Sequence, residues 1–130
     1  MYATHFPKKR YKNTLEFLKR HIAPSETILD LGVENPFSEL LKTEGYSVSN
    51  TSGEDLDVNT SGLETDTSDV VTAFEIFEHL LSPFTVLKNI KSKKLVASIP
   101  LRLWFASAYR SKTDMRDRHF HEFESWQFDW

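Results

Sequence analysis

The sequence predicts an α/β fold, a largely parallel sheet with helices on both faces, within one domain spanning all 130 residues. Three observations carry this reading. Residues 70–74, Val-Val-Thr-Ala-Phe, form an almost unbroken apolar run, long enough for a strand and too short for a helix, as in strands buried on both faces. Two further β-rich apolar runs, residues 27–32 and 95–99, stand before and after it. Between the runs, apolar residues recur at helical spacing behind capping residues. A hydrophobic content of 39%, with 13% aromatic residues, fits a packed core rather than a disordered chain.

Along the chain, Lys8, Lys9, Arg10 and Lys12 stand in an aromatic-containing leader. With a net charge of −3 the chain has no general attraction for nucleic acid, so the leader reads as solvated and nucleic acid is not expected as a partner. Asn13 or Thr14 then serves as cap for a helix through Leu15, Leu18 and Ile22 that Pro24 stops. Residues 1–24 thus form an amino-terminal helix region and residues 25–130 the core. Residues 27–32 are the expected central strand. Asn35 caps and Pro36 opens the next helix, with Phe37, Leu40 and Leu41 on one face and Gly45 at its exit. Residues 46–49 alternate apolar and polar, as suits a more exposed strand, and residues 50–68 read as a long polar loop with at most a short strand near 56–58.

After the 70–74 strand, Glu75, Glu78 and His79 arrive where a buried parallel strand ends, and Ser82-Pro83 starts a helix with Val86, Leu87 and Ile90 on its apolar side. Lys91, Lys93 and Lys94 suit that helix's carboxyl end. Residues 95–99 are expected as another buried strand, closed by Pro100, followed by an aromatic segment (101–109) and a charged one (110–118). The absence of cysteine excludes disulfides and thiolate chemistry. No apolar stretch approaches the ~20 residues of a membrane span, and the amino terminus has no apolar segment of a signal peptide, so no membrane partner and a cytoplasmic location are expected.

The strand 70–74, the Glu75-x-x-Glu78-His79-Leu80 that follows and the Ser82-Pro83 helix start resemble the fourth motif of class I S-adenosylmethionine-dependent methyltransferases. The similar region runs from about residue 27 to 130. The resemblance implies a Rossmann-like three-layer α/β/α sandwich, S-adenosylmethionine as cofactor and methyl transfer to a small-molecule acceptor. It further implies that the usual carboxyl-terminal strand pair is lacking, because residues 119–130 look like the lead-in to the family's final helix. Strand 95–99 and Phe120, Phe123, Trp126, Phe128 and Trp130 would then leave an edge and an aromatic surface suited to self-association.

Residues 30–36, Asp-Leu-Gly-Val-Glu-Asn-Pro, stand where the family has Asp-x-Gly-x-Gly-x-Gly; Gly32 is kept, while Glu34 and Pro36 replace the later glycines. Two readings follow, a modified cofactor site and a strand-to-helix turn without ligand. The second belongs to a non-catalytic methyltransferase-like binding or assembly module. By resemblance the cofactor-binding candidates are Asp30, Gly32, Ser52, Asp55, Phe74 and Glu75, with Asp55 or a neighbour standing in for the acid that normally binds the ribose hydroxyls. His79 is the candidate catalytic base, since imidazole titrates near neutral pH; its competing role is a helix-start histidine bonded to backbone or to Glu75. No metal is assigned. Glu75-x-x-Glu78-His79 lacks the second histidine of a zinc-protease helix, and His119-x-His121, beside Glu122, Asp114 and Asp117, has no third ligand at firm spacing.

Overall fold

In the computed structural model, which describes residues 7–128, four strands pair in parallel: β1 (Thr27–Asp30), β2 (Ser47–Asn50), β3 (Val70–Phe74) and β4 (Lys94–Ser98). The fold is α/β, as the apolar runs predict. The strand order is β2-β1-β3-β4. From the central pair the chain winds outward in opposite directions, β1 to β2 and β3 to β4. Such a reversal opens a crevice at the carboxyl ends of the two middle strands.

Two apolar clusters use alternate positions of the central strands, the two-residue period of a pleated strand. One joins Leu29, Val71 and Ala73 to Leu63, Phe77, Val86 and Phe123. The other joins Ile28 and Val70 to Tyr11, Leu18, Phe37 and Leu41. Helix α1 (Lys8–His21) and α2 (Pro36–Thr43) supply the second cluster's helical residues; α3 (Ser61–Glu64) and α4 (Pro83–Asn89) supply Leu63 and Val86 to the first. No helix among the described residues is long and apolar enough to cross a membrane.

The cap at Asn35 is as expected: its side chain accepts from the amides of Phe37 and Ser38, Ser38 Oγ accepts from the Asn35 amide, and Pro36 takes the first helical position. Four other expectations need correction. Helix α1 starts at Lys8 behind Pro7 rather than at Asn13 or Thr14, because Tyr11 already belongs to its buried stripe with Leu18, and the Thr14 hydroxyl bonds back to the Arg10 carbonyl at 2.8 Å inside the helix. The stretch 50–68, expected as a loop with at most a short strand, contains the short helix α3, while its residues 56–58 form a turn that Asp57 fixes by accepting from the Leu81 and Ser82 amides, both at 2.8 Å. The lysines beyond α4 serve other elements: Lys91 donates to the Glu64 carbonyl ending α3, and Lys94 to the His21 carbonyl ending α1 and to Glu26. Strand β4 is not buried, since among the described residues it pairs only with β3, leaving Lys94 and Leu95 exposed. Beyond it, isolated bridges Leu101–Phe123 and Arg110–Arg118 replace further ladder, and Trp104 and Phe105 are exposed. Phe123 is buried and Phe120 and Trp126 are exposed, whereas Trp130 and the Phe128 side chain lie outside the described residues.

Candidate functional site

At the end of β1, the buried carboxylate of Asp30 joins three elements. Its Oδ1 accepts from the Thr72 hydroxyl of β3 at 2.6 Å, and Oδ2 accepts from Asn50 Nδ2 at the end of β2 (3.1 Å) and from the α2 cap Asn35 (3.3 Å). Burial raises the Asp30 pKa, and these three bonds oppose the rise. The chain then turns at Gly32 with φ of +105°, a conformation that side chains rarely adopt, while its amide donates to Thr51 Oγ1 at 2.7 Å. Glu34 pairs with Lys42 of α2, and Pro36 sits at the helix start where no amide donor is needed.

At the end of β3 the arrangement differs. Glu75 holds φ of +56° while its amide donates to the Ser98 carbonyl at 2.9 Å, and its carboxylate lies 3.6 Å from Arg10 of α1. Residues Phe77–His79 form a 3₁₀ turn that buries Glu78. Burial, reinforced by the neighbouring Glu75 carboxylate, pushes the Glu78 pKa up to about 8. Its Oε2 makes no hydrogen bond to any described residue. The Glu78 carbonyl accepts from the Phe120 and His121 amides, which draws the distant 119–121 segment alongside. The rings of His79 and His119 consequently meet edge to face, 4.9 Å between centroids. His79 Nδ1 lies 2.9 Å from the Arg118 carbonyl, an acceptor only, so that nitrogen donates the hydrogen bond.

Two hollows open at these strand ends, sharing Gly32 and Ile76 as a common wall. The first encloses about 180 Å³ and is lined by Arg10, Tyr11, Asp30, Gly32, Phe74 and Glu75 among others. The second encloses about 360 Å³, with Thr51, Asp55, His79, Arg116 and Phe120 in its wall. Small-molecule sites span roughly 300–1,000 Å³, so the smaller hollow alone falls short and the larger lies inside that range. Of the residues predicted from sequence, Asp30, Gly32, Phe74 and Glu75 come together in the first hollow and Gly32, Asp55 and His79 in the second. Ser52 is exposed and lines neither; its neighbour Thr51 braces Gly32.

Arg10 lines the first hollow, and Glu78 and His119 come together with His79; none of the three is among the cofactor or catalytic candidates expected from sequence, although Glu78 stands in the strand-end motif and His119 in the His119-x-His121 pair. Arg10 was placed in a solvated leader, and only the earlier start of α1 brings it to Glu75. His119 is separated by forty positions from His79, a distance at which no spacing rule operates. No family model, curated protein or solved structure matches the chain.

Proposed function

We propose that the chain is an S-adenosylmethionine-dependent methyltransferase acting on a small-molecule acceptor, with a Rossmann-like three-layer α/β/α sandwich as its frame. The observation that supports this most is the pair of hollows at the point where strand order reverses, lined by the glycine turn at Gly32 and by Phe74 and Glu75. The residues present fit such a group. Glu34 and Pro36, which replace the family's glycines, line neither hollow, so the turn stays open despite them.

S-adenosylmethionine supplies an electrophilic methyl group, which leaves the protein to position, exclude water and accept a proton. Gly32 and Phe74 would hold the cofactor along the strand ends, and Asp55 offers a carboxylate for ribose hydroxyls from the larger hollow. His79, oriented by the Nδ1 bond to the Arg118 carbonyl, would be the base for the acceptor's proton. The second reading is a methyltransferase-like binding or assembly module without cofactor. It is favoured by the Asp30 carboxylate being taken up by Thr72, Asn50 and Asn35, and by Ser52 lying outside both hollows. Titration calorimetry with S-adenosylmethionine and S-adenosylhomocysteine separates the two. Saturable heat supports the methyltransferase, and no binding to folded protein at millimolar ligand overturns it in favour of the module.

The same reading places the protein in the cytoplasm and takes self-association along β4 as its mode of assembly, since that edge is unpaired among the described residues and Leu95, Phe120 and Trp126 are exposed nearby in sequence or on the carboxyl-terminal segment. Sedimentation velocity should show a dimer or larger species at high micromolar concentration; a stable monomer there removes this part of the reading.

A further inference from the structure

We propose that Glu78, His79 and His119 form a three-ligand site for a first-row divalent cation of the zinc type. One ligand atom from each of the three lies within 4.8 Å of the others, and Glu78 Oε1 stands 3.8 Å from His79 Nε2. Bonds of about 2.0–2.1 Å around a tetrahedral ion put ligand atoms about 3.4 Å apart, so side-chain rotations of about an ångström close the set. Two imidazoles and one carboxylate select zinc-like ions over magnesium or calcium, which take oxygen ligands almost exclusively.

The surroundings are those of a built site. A metal-bound imidazole normally gives its other nitrogen's proton to a carbonyl or carboxylate, which fixes the ring and the tautomer. His79 Nδ1 does so with the Arg118 carbonyl at 2.9 Å, and His119 Nδ1 faces Glu122 Oε1 at 3.4 Å. In each ring Nε2 lies outside that contact, and His79 Nε2 faces Glu78 Oε1. The Glu78 side chain is 1% exposed, and its Oε2 makes no hydrogen bond to any described residue, an uncompensated buried acceptor for which a cation is a natural partner. The amides of Phe120 and His121 donate to the Glu78 carbonyl at 2.8 and 3.3 Å, so the residue that supplies one ligand also holds the segment that supplies another. His79 borders the 360 Å³ hollow, which leaves a further coordination position for an oxygen from water or from an acceptor.

An ion there changes the part played by His79. His79 Nε2 would then be a ligand and not the base, and an acceptor oxygen bound to the ion would be acidic enough to release its proton to solvent. Cation binding itself needs no cofactor, so its test is independent of the methyltransferase reading.

The test uses the full chain, stripped with a chelator and titrated in turn with Zn²⁺, Co²⁺ and Mg²⁺ without S-adenosylmethionine. We expect saturable binding of one Zn²⁺ per chain, a visible absorption band of four-coordinate Co²⁺, and no comparable response to Mg²⁺. Glu122→Gln should weaken Zn²⁺ about 10–100-fold, as loss of a ring-orienting partner does, and His119→Ala should weaken it more. Should His119→Ala fail to fold, Glu78→Gln, which keeps the shape of the buried side chain, takes its place. His121, whose Nε2 lies 3.1 Å from the Leu81 carbonyl, is the control, and His121→Ala should bind normally. The proposal is overturned by folded protein that shows no saturable Zn²⁺ binding, by affinity unchanged in both His119→Ala and Glu78→Gln, or by a loss in His121→Ala as large as that in His119→Ala.

Discussion

The carboxyl ends of β1 and β3 lie side by side and each is followed or closed by a buried acid, yet the two acids live in opposite conditions. Asp30 has a donor from Thr72 on one oxygen and donors from Asn35 and Asn50 on the other, and through them it ties together the start of α2, the end of β2 and the middle of β3. Glu78 is just as deeply buried, but among the described residues one of its oxygens has no hydrogen bond, Glu75 three positions before it is held at positive φ, and two histidines stand beside it. A satisfied buried carboxylate is framework, whereas an unsatisfied one costs stability that a fold retains where a ligand or a proton supplies what is missing. The difference between the ends separates a satisfied hub at β1 from an unsatisfied buried acid after β3.

The sharpest way to break this comparison is Asp30→Ala. It strands the donors of Thr72, Asn35 and Asn50 together, and should cost about 2–4 kcal/mol in denaturant unfolding. A loss below ~1 kcal/mol would show that the hub at β1 is not framework. Glu78 should behave in the opposite sense in chelator-treated protein. Its folded pKa of about 8 lies above an ordinary value of 4.5, so the folded state holds the proton over a range where the unfolded state releases it. The sign follows: its share of stability is present below about pH 4.5, falls as pH rises, and is lost above about pH 8. Glu78→Gln should therefore flatten the decline across that window by an amount on the order of a few kcal/mol, with little cost of its own. Unfolding curves of the two proteins that stay parallel from pH 4.5 to 8 would remove Glu78 as the titrating group.

Much of this frame was legible in the chain because local rules governed it. Residues 70–74 could be buried only as a strand, and Asn35-Pro36 specified both a cap and a first helical turn. The misreadings arose where partners came from far along the sequence. Asp57 is held by amides at positions 81 and 82, Lys94 reaches a carbonyl at position 21, and the start of α1 is set by burial of Tyr11 against the sheet rather than by a capping side chain. The site divides in the same way. Asp30, Gly32, Phe74 and Glu75 sit at strand ends that the apolar runs locate, so their meeting at one hollow was legible in the sequence. His119 meets His79 only because two amides of its segment bond the Glu78 carbonyl, which no pattern within a single element encodes.

Gly32→Val sharpens the contrast at the β1 end. The new Cβ would stand 3.7 Å from Ile76 Cδ1, ordinary contact, so steric conflict with the protein is small. The cost comes from φ of +105° and should be about 2 kcal/mol. If the cofactor uses this turn, loss of S-adenosylmethionine binding in calorimetry should exceed what that destabilisation explains, because the branched side chain occupies space the ligand needs. Unchanged affinity in the folded variant would leave Gly32 a backbone requirement alone.

The smallest effect isolates the backbone at the end of β3. Glu75 adopts a left-handed conformation, φ +56°, that an L residue with a Cβ enters at a cost and glycine enters freely. Comparing Glu75→Gly directly with wild type would mix this term with loss of the half-exposed Arg10 pair and of the charge beside Glu78. Comparing it with Glu75→Ala cancels both, because each variant removes the same carboxylate. Glycine should then be the more stable of the two by about 1 kcal/mol, less whatever its freer unfolded chain takes back. Equal stability, measured by urea unfolding at a pH where Glu78 is protonated in both, would mean that the turn accommodates a Cβ without strain. The end of β3 would then differ from that of β1 through its side chains alone.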